Sequence, residues 1–144
     1  MITYVDTSTL LELIIDEEGS DRAALIWSSA DAVASVTLIT VEARAAIAAA
    51  ARGRRLTAIQ ARDAVAELDA LLRVLYLMPV TDELVSTAAE LAAAEGLRGY
   101  DAVHLAAAVR IADDDVVFVT GDTDLAAAAR ATGLAIAVPS STSS

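Results

Sequence analysis

Four acidic side chains are spaced as a parallel α/β sheet would gather them. Asp6 ends the first predicted strand, Glu42 lies four residues past the second, and Asp122 lies two residues past the fourth. Asp101 lies in the first turn of a predicted helix. Open parallel sheets bind ligands beyond the carboxyl ends of their strands, near the point where the strand order reverses. The four carboxylates could therefore share one pocket.

The chemistry available to four converging carboxylates depends on a cation. Their mutual repulsion would raise their pKa values and destabilise the fold unless a cation were present. Hard oxygen ligands select Mg²⁺ or Mn²⁺, and a sequence with no Cys and a single His disfavours zinc. One metal ion would lower the pKa of a bound water, and a second, about 4 Å away, would stabilise the leaving oxygen. Such a site could hydrolyse a phosphodiester bond without a covalent intermediate.

Each acid also has a simpler interpretation. Asp6 could cap the first helix, and Glu42 is a good helix former near a helix start. The negative charge of Asp101 suits the helix dipole, and Asp122, in the run TGDTD, could be a turn or cap residue. Capping alone explains four acids at this edge less well than a shared site does.

The elements that must position these acids are short apolar runs alternating with alanine-rich helices. Strands are predicted over residues 2–5, 33–38, 74–80, 116–120 and 134–138. Helices are predicted over residues 7–15, 21–31, 40–52, 57–73, from 82 onward, 99–112 and 121–133. Because the strands are continuous apolar runs, they indicate a parallel sheet covered on both faces by helices. We expect one α/β domain over residues 1–139 and a frayed tail over 140–144.

Two polar stretches are predicted as breaks between these elements. The run DEEGS at residues 16–20 separates the first two helices. Asp113, Asp114 and Asp115 follow a helix end, where negative charge is unfavourable, and are predicted as a solvated turn.

Charge and composition exclude several classes of protein. Ten basic residues, all of them Arg, stand against 21 acidic residues, giving a net charge of −11. This argues against a protein that holds nucleic acid on a broad positive surface, but it leaves room for an enzyme in which metal ions and a few arginines handle the phosphate. The absence of Lys excludes phosphatases of the haloacid-dehalogenase type and response-regulator receiver domains, both of which use a lysine.

The sequence also bears on location. No run approaches the roughly 18 to 20 uninterrupted apolar residues that a membrane-spanning helix requires. The start of the chain has no basic n-region and places an acid at position 6, so a secretory signal is not expected. We therefore expect a cytoplasmic protein.

Four segments together resemble a known family. They are VDTSTLLEL at 5–13, TVEARAA at 40–46, GLRGYDAVHLAAA at 96–108 and VTGDTDLAAAA at 119–129. In order and spacing they resemble the four acidic motifs of the PIN-domain nucleases, in particular the VapC-type toxins of bacterial toxin–antitoxin pairs. No single motif is specific, but four in order are, and the resemblance covers essentially the whole chain.

The resemblance implies both a fold and an activity. The implied fold is a three-layer α/β/α sandwich with a central parallel sheet of four to five strands. The implied protein is a Mg²⁺- or Mn²⁺-dependent endoribonuclease that forms a homodimer and is inhibited by a small cognate antitoxin blocking the acidic pocket. The alternative is a catalytically inactive PIN-like module that binds RNA or protein, although such modules typically lose an acid and this sequence keeps all four.

The family's functional positions map onto individual residues here. The four catalytic acids match Asp6, Glu42, Asp101 and Asp122. The candidate metal ligands are Asp6, Asp101, Asp122 and Asp124, the last matching a fifth acid present in some members, with an exposed helix residue as the alternative. Ser8 and Thr120 match positions that often carry a hydroxyl, where either could orient a carboxylate or a bound water. For Thr120 the alternative is strand packing.

Two residues near Asp101 are candidates for supporting roles. His104 is the only histidine, so a ribonuclease mechanism with a histidine pair is excluded. It lies three residues after Asp101 on the same helical face and is predicted to be structural, hydrogen-bonded near the site. Arg98 could contact an RNA phosphate or pair with an acid, with a solvated surface residue as the alternative.

One basic cluster is a candidate for contact with nucleic acid. It consists of Arg52, Arg54 and Arg55. On so acidic a protein these are the best candidates for contact with the RNA backbone. A solvated helix end is the default alternative, because short charge runs are weak evidence.

Overall fold

The computed structural model describes residues 1–15, 20–112 and 115–139. The predicted break at 16–19, the first two residues of the acidic run at 113–115 and the predicted tail at 140–144 lie outside these described residues. Ser20 begins a helix, and Asp115 lies in a turn directly before a strand.

Strands and helices alternate along the described chain. The strands are β1 Ile2–Val5, β2 Ala32–Val36, β3 Tyr76–Met78, β4 Val116–Val119 and β5 Ala135–Ala137. The helices are α1 Thr7–Ile14, α2 Ser20–Ser29, α3 Leu38–Arg52, α4 Ala58–Val74, α5 Asp82–Glu95, α6 Gly99–Ile111 and α7 Thr123–Ala131. Among the residues described, no helix is both long enough and apolar enough to cross a membrane.

Four of the five predicted strands extended too far, and two of these ran into a helix. The run 33–38 ends as a strand at Val36, because the following residues turn directly into α3. The run 74–80 is a strand only over Tyr76–Met78, since Val74 still belongs to α4. An apolar run does not mark where a helix ends and a strand begins. As a consequence, Glu42 lies in the second turn of α3 rather than four residues past a strand.

The five strands form one parallel sheet in the order β3-β2-β1-β4-β5. From β1 the chain builds outward to one side through β2 and β3, and then to the other side through β4 and β5. The strand order therefore reverses beside β1, and the crevice at its carboxyl end is where such sheets bind ligands. Asp6 follows β1 directly at this point.

Helices cover both faces of the sheet. Alternation along β1 sends Tyr4 to one face and Val5 to the other. On the first face, α5, α6 and α7 pack against Phe118 and its neighbours; α6 buries a run of alanines, Ala106–Ala108, whose small side chains allow close approach. On the second face, α1, α3 and α4 pack around residues such as Leu68. The predicted three-layer α/β/α fold is confirmed.

Candidate active site

Asp6 is buried between β1 and α1 and accepts hydrogen bonds on both carboxylate oxygens. Its Oδ1 accepts from the Thr9 amide at 3.1 Å, the Thr9 Oγ1 at 3.0 Å and the Ser8 Oγ at 2.8 Å. Its Oδ2 accepts from the Thr120 Oγ1 at 2.5 Å. Only 4 % of the residue is exposed. Asp6 does cap α1, and because the cap uses Oδ1, the cap interpretation does not compete with a role for Oδ2.

Hydroxyl groups connect the loops that follow β1 and β4. Thr120, which is fully buried, donates to Asp6 and accepts from the Asp122 amide at 3.0 Å. The Ser8 hydroxyl donates to Asp6 and accepts from the Gly121 amide at 3.1 Å. Each hydroxyl thus bridges the two loops, so the position of Asp122 depends on that of Asp6.

Asp122 caps α7 with one oxygen and faces the pocket with the other. Its Oδ1 accepts from the amides of Asp124 at 2.9 Å and Leu125 at 3.0 Å. Its Oδ2 accepts from the Arg98 Nη2 at 3.2 Å. Asp124 is exposed in the first turn of α7. The hydrogen bond to Asp101 raises the pKa of Arg98, and the charges of Asp101, Asp122 and Asp124 raise it further.

The Arg98 guanidinium bridges two of the acids. Its Nε donates to the Asp101 Oδ2 at 3.0 Å while its Nη2 donates to Asp122. The Arg98 side chain is 78% exposed, so these ion pairs are screened by solvent and stabilise the fold only weakly. Of the interpretations open for Arg98, the structure shows pairing with acids.

Asp101 is electrostatically coupled to the other two aspartates. Burial raises the pKa of its carboxyl above the usual value, and the negative charges of Asp122 and Asp6 raise that pKa further. Arg98 opposes the rise through its hydrogen bond and its charge. The charges of Asp6 and Asp122, each at the start of a different helix, therefore act on Asp101 at the carboxyl edge of the sheet.

Glu42 is held by two partners from other elements. Its Oε1 accepts from the Thr7 Oγ1 at 2.9 Å and lies 2.7 Å from the His104 Nε2. The buried His104 ring also places Nδ1 2.9 Å from the Tyr4 hydroxyl. His104 is therefore hydrogen-bonded within the site, as the sequence predicts.

A comparison with known proteins assigns the fold to a family. Residues 3–131 match the family model of the PIN domain. The chain belongs to the PIN-domain family. Ribonuclease VapC45 of Mycobacterium tuberculosis (strain CDC 1551 / Oshkosh) is 36% identical to this PIN domain over 136 residues, which are 94% of this chain and 94% of that relative. The resemblance to VapC-type proteins is thereby confirmed.

Solved structures share the fold of this PIN domain. FitAcB from Neisseria gonorrhoeae superposes with a TM-score of 0.69 at 17% identity, covering 96% of this chain and 98% of that one. VapBC2 from Rickettsia felis, bound to a DNA fragment from their promoter, superposes with a TM-score of 0.65 at 15% identity and the same coverage. These identities are low enough that the likeness establishes the fold alone.

Thr7 and Tyr4 belong to the site of this PIN domain although the sequence does not single them out. Thr7 directly follows the candidate acid Asp6. A hydroxyl residue next to a candidate acid is the sequence feature from which Thr7 could have been identified. Tyr4 lies in an apolar strand, where the sequence pattern predicts a core residue. It is separated from His104 by 100 positions. Only the fold brings that pair together.

The basic cluster lies away from the acids. Arg52 is in the last turn of α3, and Arg54 and Arg55 follow it; all three are exposed. An α-helix rises about 1.5 Å per residue, so Arg52 is roughly 15 Å along α3 from Glu42. The structure does not bring this cluster together with the carboxylates.

The side chains at the pocket of this PIN domain are of the types that bind a hard divalent cation. Asp6, Asp101 and Asp122 offer carboxylate oxygens, the ligands that Mg²⁺ and Mn²⁺ prefer. Arg98 bridges two of them, so a positive charge already lies between these carboxylates. Within residues 1–15, 20–112 and 115–139, no three His, Asp or Glu side chains are arranged so that they could hold a metal ion together. The residue types fit a metal, and in this arrangement the single positive charge of Arg98 offsets part of their negative charge.

Proposed function

We propose that this protein is a Mg²⁺- or Mn²⁺-dependent endoribonuclease and the toxin of a toxin–antitoxin pair. The observation that carries the proposal is that three carboxylates at the switch point of the sheet, Asp6, Asp101 and Asp122, are linked through shared hydrogen-bond partners. Arg98 donates to both Asp101 and Asp122, and the Thr120 hydroxyl joins Asp6 to the Asp122 amide. The similarity to ribonuclease VapC45, 36% identity over 94% of the chain, supports the choice of RNA as substrate.

Asp6, Asp101 and Asp122 are the proposed metal ligands, with Asp124 as a further candidate. A divalent cation held there would supply a water of lowered pKa and neutralise charge on the phosphate. The cap hydrogen bonds keep one oxygen of Asp6 and one of Asp122 fixed, so that the other oxygens have a defined direction. Ser8 and Thr120 orient Asp6 by donating to it.

Glu42 is the proposed acid beside the attacking water. Its Oε1 is occupied by Thr7 and His104, which leaves the carboxylate anchored on one side. We assign to Glu42 the tasks of holding that water by a hydrogen bond and accepting its proton. Substitution of Glu42 by Gln is then expected to slow cleavage while leaving the anchoring contacts possible.

Arg98 has two proposed roles, pairing with the acids when no metal is bound and contacting RNA when one is. A cation held by Asp101 and Asp122 would compete with the guanidinium for the Oδ2 atoms that it engages. The Arg98 side chain is highly exposed and, once displaced, could contact an RNA phosphate. The cluster Arg52, Arg54 and Arg55 is a second candidate for RNA contact, at a distance from the cleaved bond.

The partners follow from the VapC resemblance and the charge of the chain. The proposed partners are an RNA substrate, a second copy of this chain and a small cognate antitoxin. With a net charge of −11 and an acidic pocket, the chain favours an antitoxin segment that is cationic or aromatic where it enters the pocket.

The test is cleavage of labelled total RNA by purified, antitoxin-free protein with Mn²⁺, with Mg²⁺ and with EDTA. Discrete products that require the metal and disappear in Asp101→Ala support the proposal. A folded protein that cuts no RNA under any condition would favour the alternative, a catalytically inactive PIN-like module that binds RNA or protein. Direct titration with Mn²⁺ also distinguishes the active nuclease from the inactive module, since the inactive module should bind Mn²⁺ weakly or not at all.

A further inference from the structure

A buried chain of hydrogen bonds runs from the middle of the sheet to Glu42. The Tyr4 hydroxyl lies 2.9 Å from the His104 Nδ1, and the His104 Nε2 lies 2.7 Å from the Glu42 Oε1. Tyr4 and His104 are almost wholly buried, whereas Glu42 is partly exposed at the pocket. We propose that Tyr4 and His104 are positioning residues that fix the Glu42 carboxylate through a single neutral tautomer of the histidine, an inference that rests on the proposed function of Glu42.

The tautomer of His104 follows from the donors and acceptors that link Tyr4, His104 and Glu42. An ionised carboxylate only accepts hydrogen bonds, so the His104 Nε2 facing Glu42 must carry a hydrogen. A neutral imidazole has one N–H, which leaves Nδ1 as an acceptor. The Tyr4 hydroxyl must then be the donor to Nδ1. A phenol is protonated at neutral pH, so Tyr4 has the hydrogen that it donates to Nδ1.

Glu42 needs such an anchor because of its charge and its flexibility. Thr7, the neighbour of Asp6 in the sequence, donates to Glu42, so the negative charges of Asp6 and Glu42 lie near one another. Like charges at close range repel, and without an anchor this repulsion would turn the Glu42 side chain outward. Thr7 and His104 both donate to the same oxygen, Oε1, from opposite elements, α1 and α6. The Tyr4 ring stacks on Phe118, with ring centroids 5.4 Å apart, and this contact fixes Tyr4 at the other end of the series of hydrogen bonds. The carboxylate is thereby held in one place before RNA binds.

The single histidine makes this tautomer directly observable. In a ¹⁵N-labelled, metal-free sample of the whole protein, a long-range ¹H–¹⁵N correlation spectrum contains the ring nitrogens of His104 and no other histidine. The expected spectrum at neutral pH shows one protonated and one unprotonated nitrogen in the Nε2–H pattern. In Tyr4→Phe, which keeps the aromatic ring, the Nδ1 signal is expected to shift toward that of an unbonded nitrogen. A ring that is Nδ1–H, doubly protonated or averaging between tautomers would overturn the proposal.

Two substitutions of His104 test the consequence for catalysis. The side-chain amide of Gln reaches the position of Nε2 and can donate to Glu42, whereas that of Asn is shorter and reaches only the position of Nδ1. His104→Asn is expected to lower kcat by about tenfold or more with KM unchanged, and His104→Gln to retain most of the activity. Equal activities for the two variants, high or low, would overturn the proposal, since a packing role alone does not depend on which nitrogen is replaced.

The two readouts separate failure of this inference from failure of the proposed function. If the wild-type protein cuts no RNA, the proposed function fails, and the spectrum still decides whether Tyr4 and His104 hold Glu42. If RNA is cut and the tautomer is wrong, only this inference fails. Thermal unfolding of all three variants, monitored by circular dichroism, verifies that each is folded before either readout is interpreted.

Discussion

The Thr120 Oγ1 lies 2.5 Å from the Asp6 Oδ2, so the residue that follows β4 donates directly to the carboxylate that follows β1. The same hydroxyl accepts from the Asp122 amide. Two neighbouring strand ends are thus joined by one buried side chain, and the spacing of the two aspartates depends on it.

Thr120→Val should lower both activity and stability. The substitution keeps the shape but removes the donor to Asp6 and the acceptor for the Asp122 amide, and a buried polar group left without its partner costs about 1–3 kcal/mol. We expect RNA cleavage to fall by about tenfold or more, as for other residues that orient a metal ligand. Denaturant unfolding and cleavage rates measure the two effects. Thr120→Ser, which keeps the hydroxyl, is the control, and a Val variant equal to wild type would contradict the account.

Arg98→Ala should bind Mn²⁺ more tightly than the wild type does. Arg98 engages the Oδ2 atoms of Asp101 and Asp122, so a metal that takes these oxygens competes with it. Because the side chain is largely exposed, the gain is expected to be small, roughly two- to fivefold in the dissociation constant. Isothermal titration with Mn²⁺ measures it. Arg110→Ala, which removes an exposed pair with Glu83 instead, should leave the affinity unchanged. Weaker binding by Arg98→Ala would show that Arg98 supports the site rather than competing for it.

The stability of the metal-free protein should depend on pH through Asp101. Since burial and the neighbouring carboxylates raise its pKa in the folded state, the folded protein binds this proton more readily than the unfolded chain. The contribution of Asp101 is therefore most favourable in acid and is lost as pH rises from the usual aspartate pKa through the raised one. Asp101→Asn should remove this loss and be more stable than wild type at neutral pH in EDTA.

The measurement for Asp101 is the free energy of unfolding of both proteins at pH 3.5 and pH 7. We expect the difference between them to grow in favour of Asp101→Asn toward the higher pH. Asp69→Asn, on an exposed position of α4, should show no such growth. A variant less stable than wild type at pH 7 would mean that pairing with Arg98 outweighs burial and repulsion.

Replacing Arg52, Arg54 and Arg55 together by Ala should raise KM and leave kcat unchanged. The cluster lies roughly 15 Å from Glu42 along α3, too far to act on the cleaved bond. If it contacts the RNA backbone, the variant should also depend less on salt concentration. Steady-state cleavage at two salt concentrations measures both effects. An unchanged KM would assign the cluster to the solvated helix end instead.

Much of the fold was predictable because local pattern and global arrangement agree. Continuous apolar runs gave the five parallel strands, and alanine-rich segments gave the helices between them. Thr57 and Thr81 cap the helices that follow them, and Thr is among the preferred residue types at that position. The predicted strands ran into helices at the ends of β2 and β3, where apolar residues pass directly from one kind of element to the other, and β4 and β5 were also predicted too long.

The site was predictable in its acids and not in the contacts that hold them. Asp6 and Asp122 stand at strand ends, which sequence patterns reveal, and both turn out to cap helices as well. The bridge from Arg98 to Asp122 and the link from Tyr4 through His104 to Glu42 join residues distant in sequence. Such contacts depend on strand order and side-chain direction, which no periodicity encodes.

The most direct test of the account is cleavage of labelled RNA in Mn²⁺ by the wild type and by Asp122→Asn. Asn is as good an N-cap as Asp, so α7 should remain capped while the carboxylate charge is lost. Asp69→Asn serves as the matched control. The account predicts that the control cuts like wild type and that Asp122→Asn, still folded, loses cleavage by about a hundredfold or more. Cleavage by Asp122→Asn at the wild-type rate would contradict the assignment of this pocket as the active site.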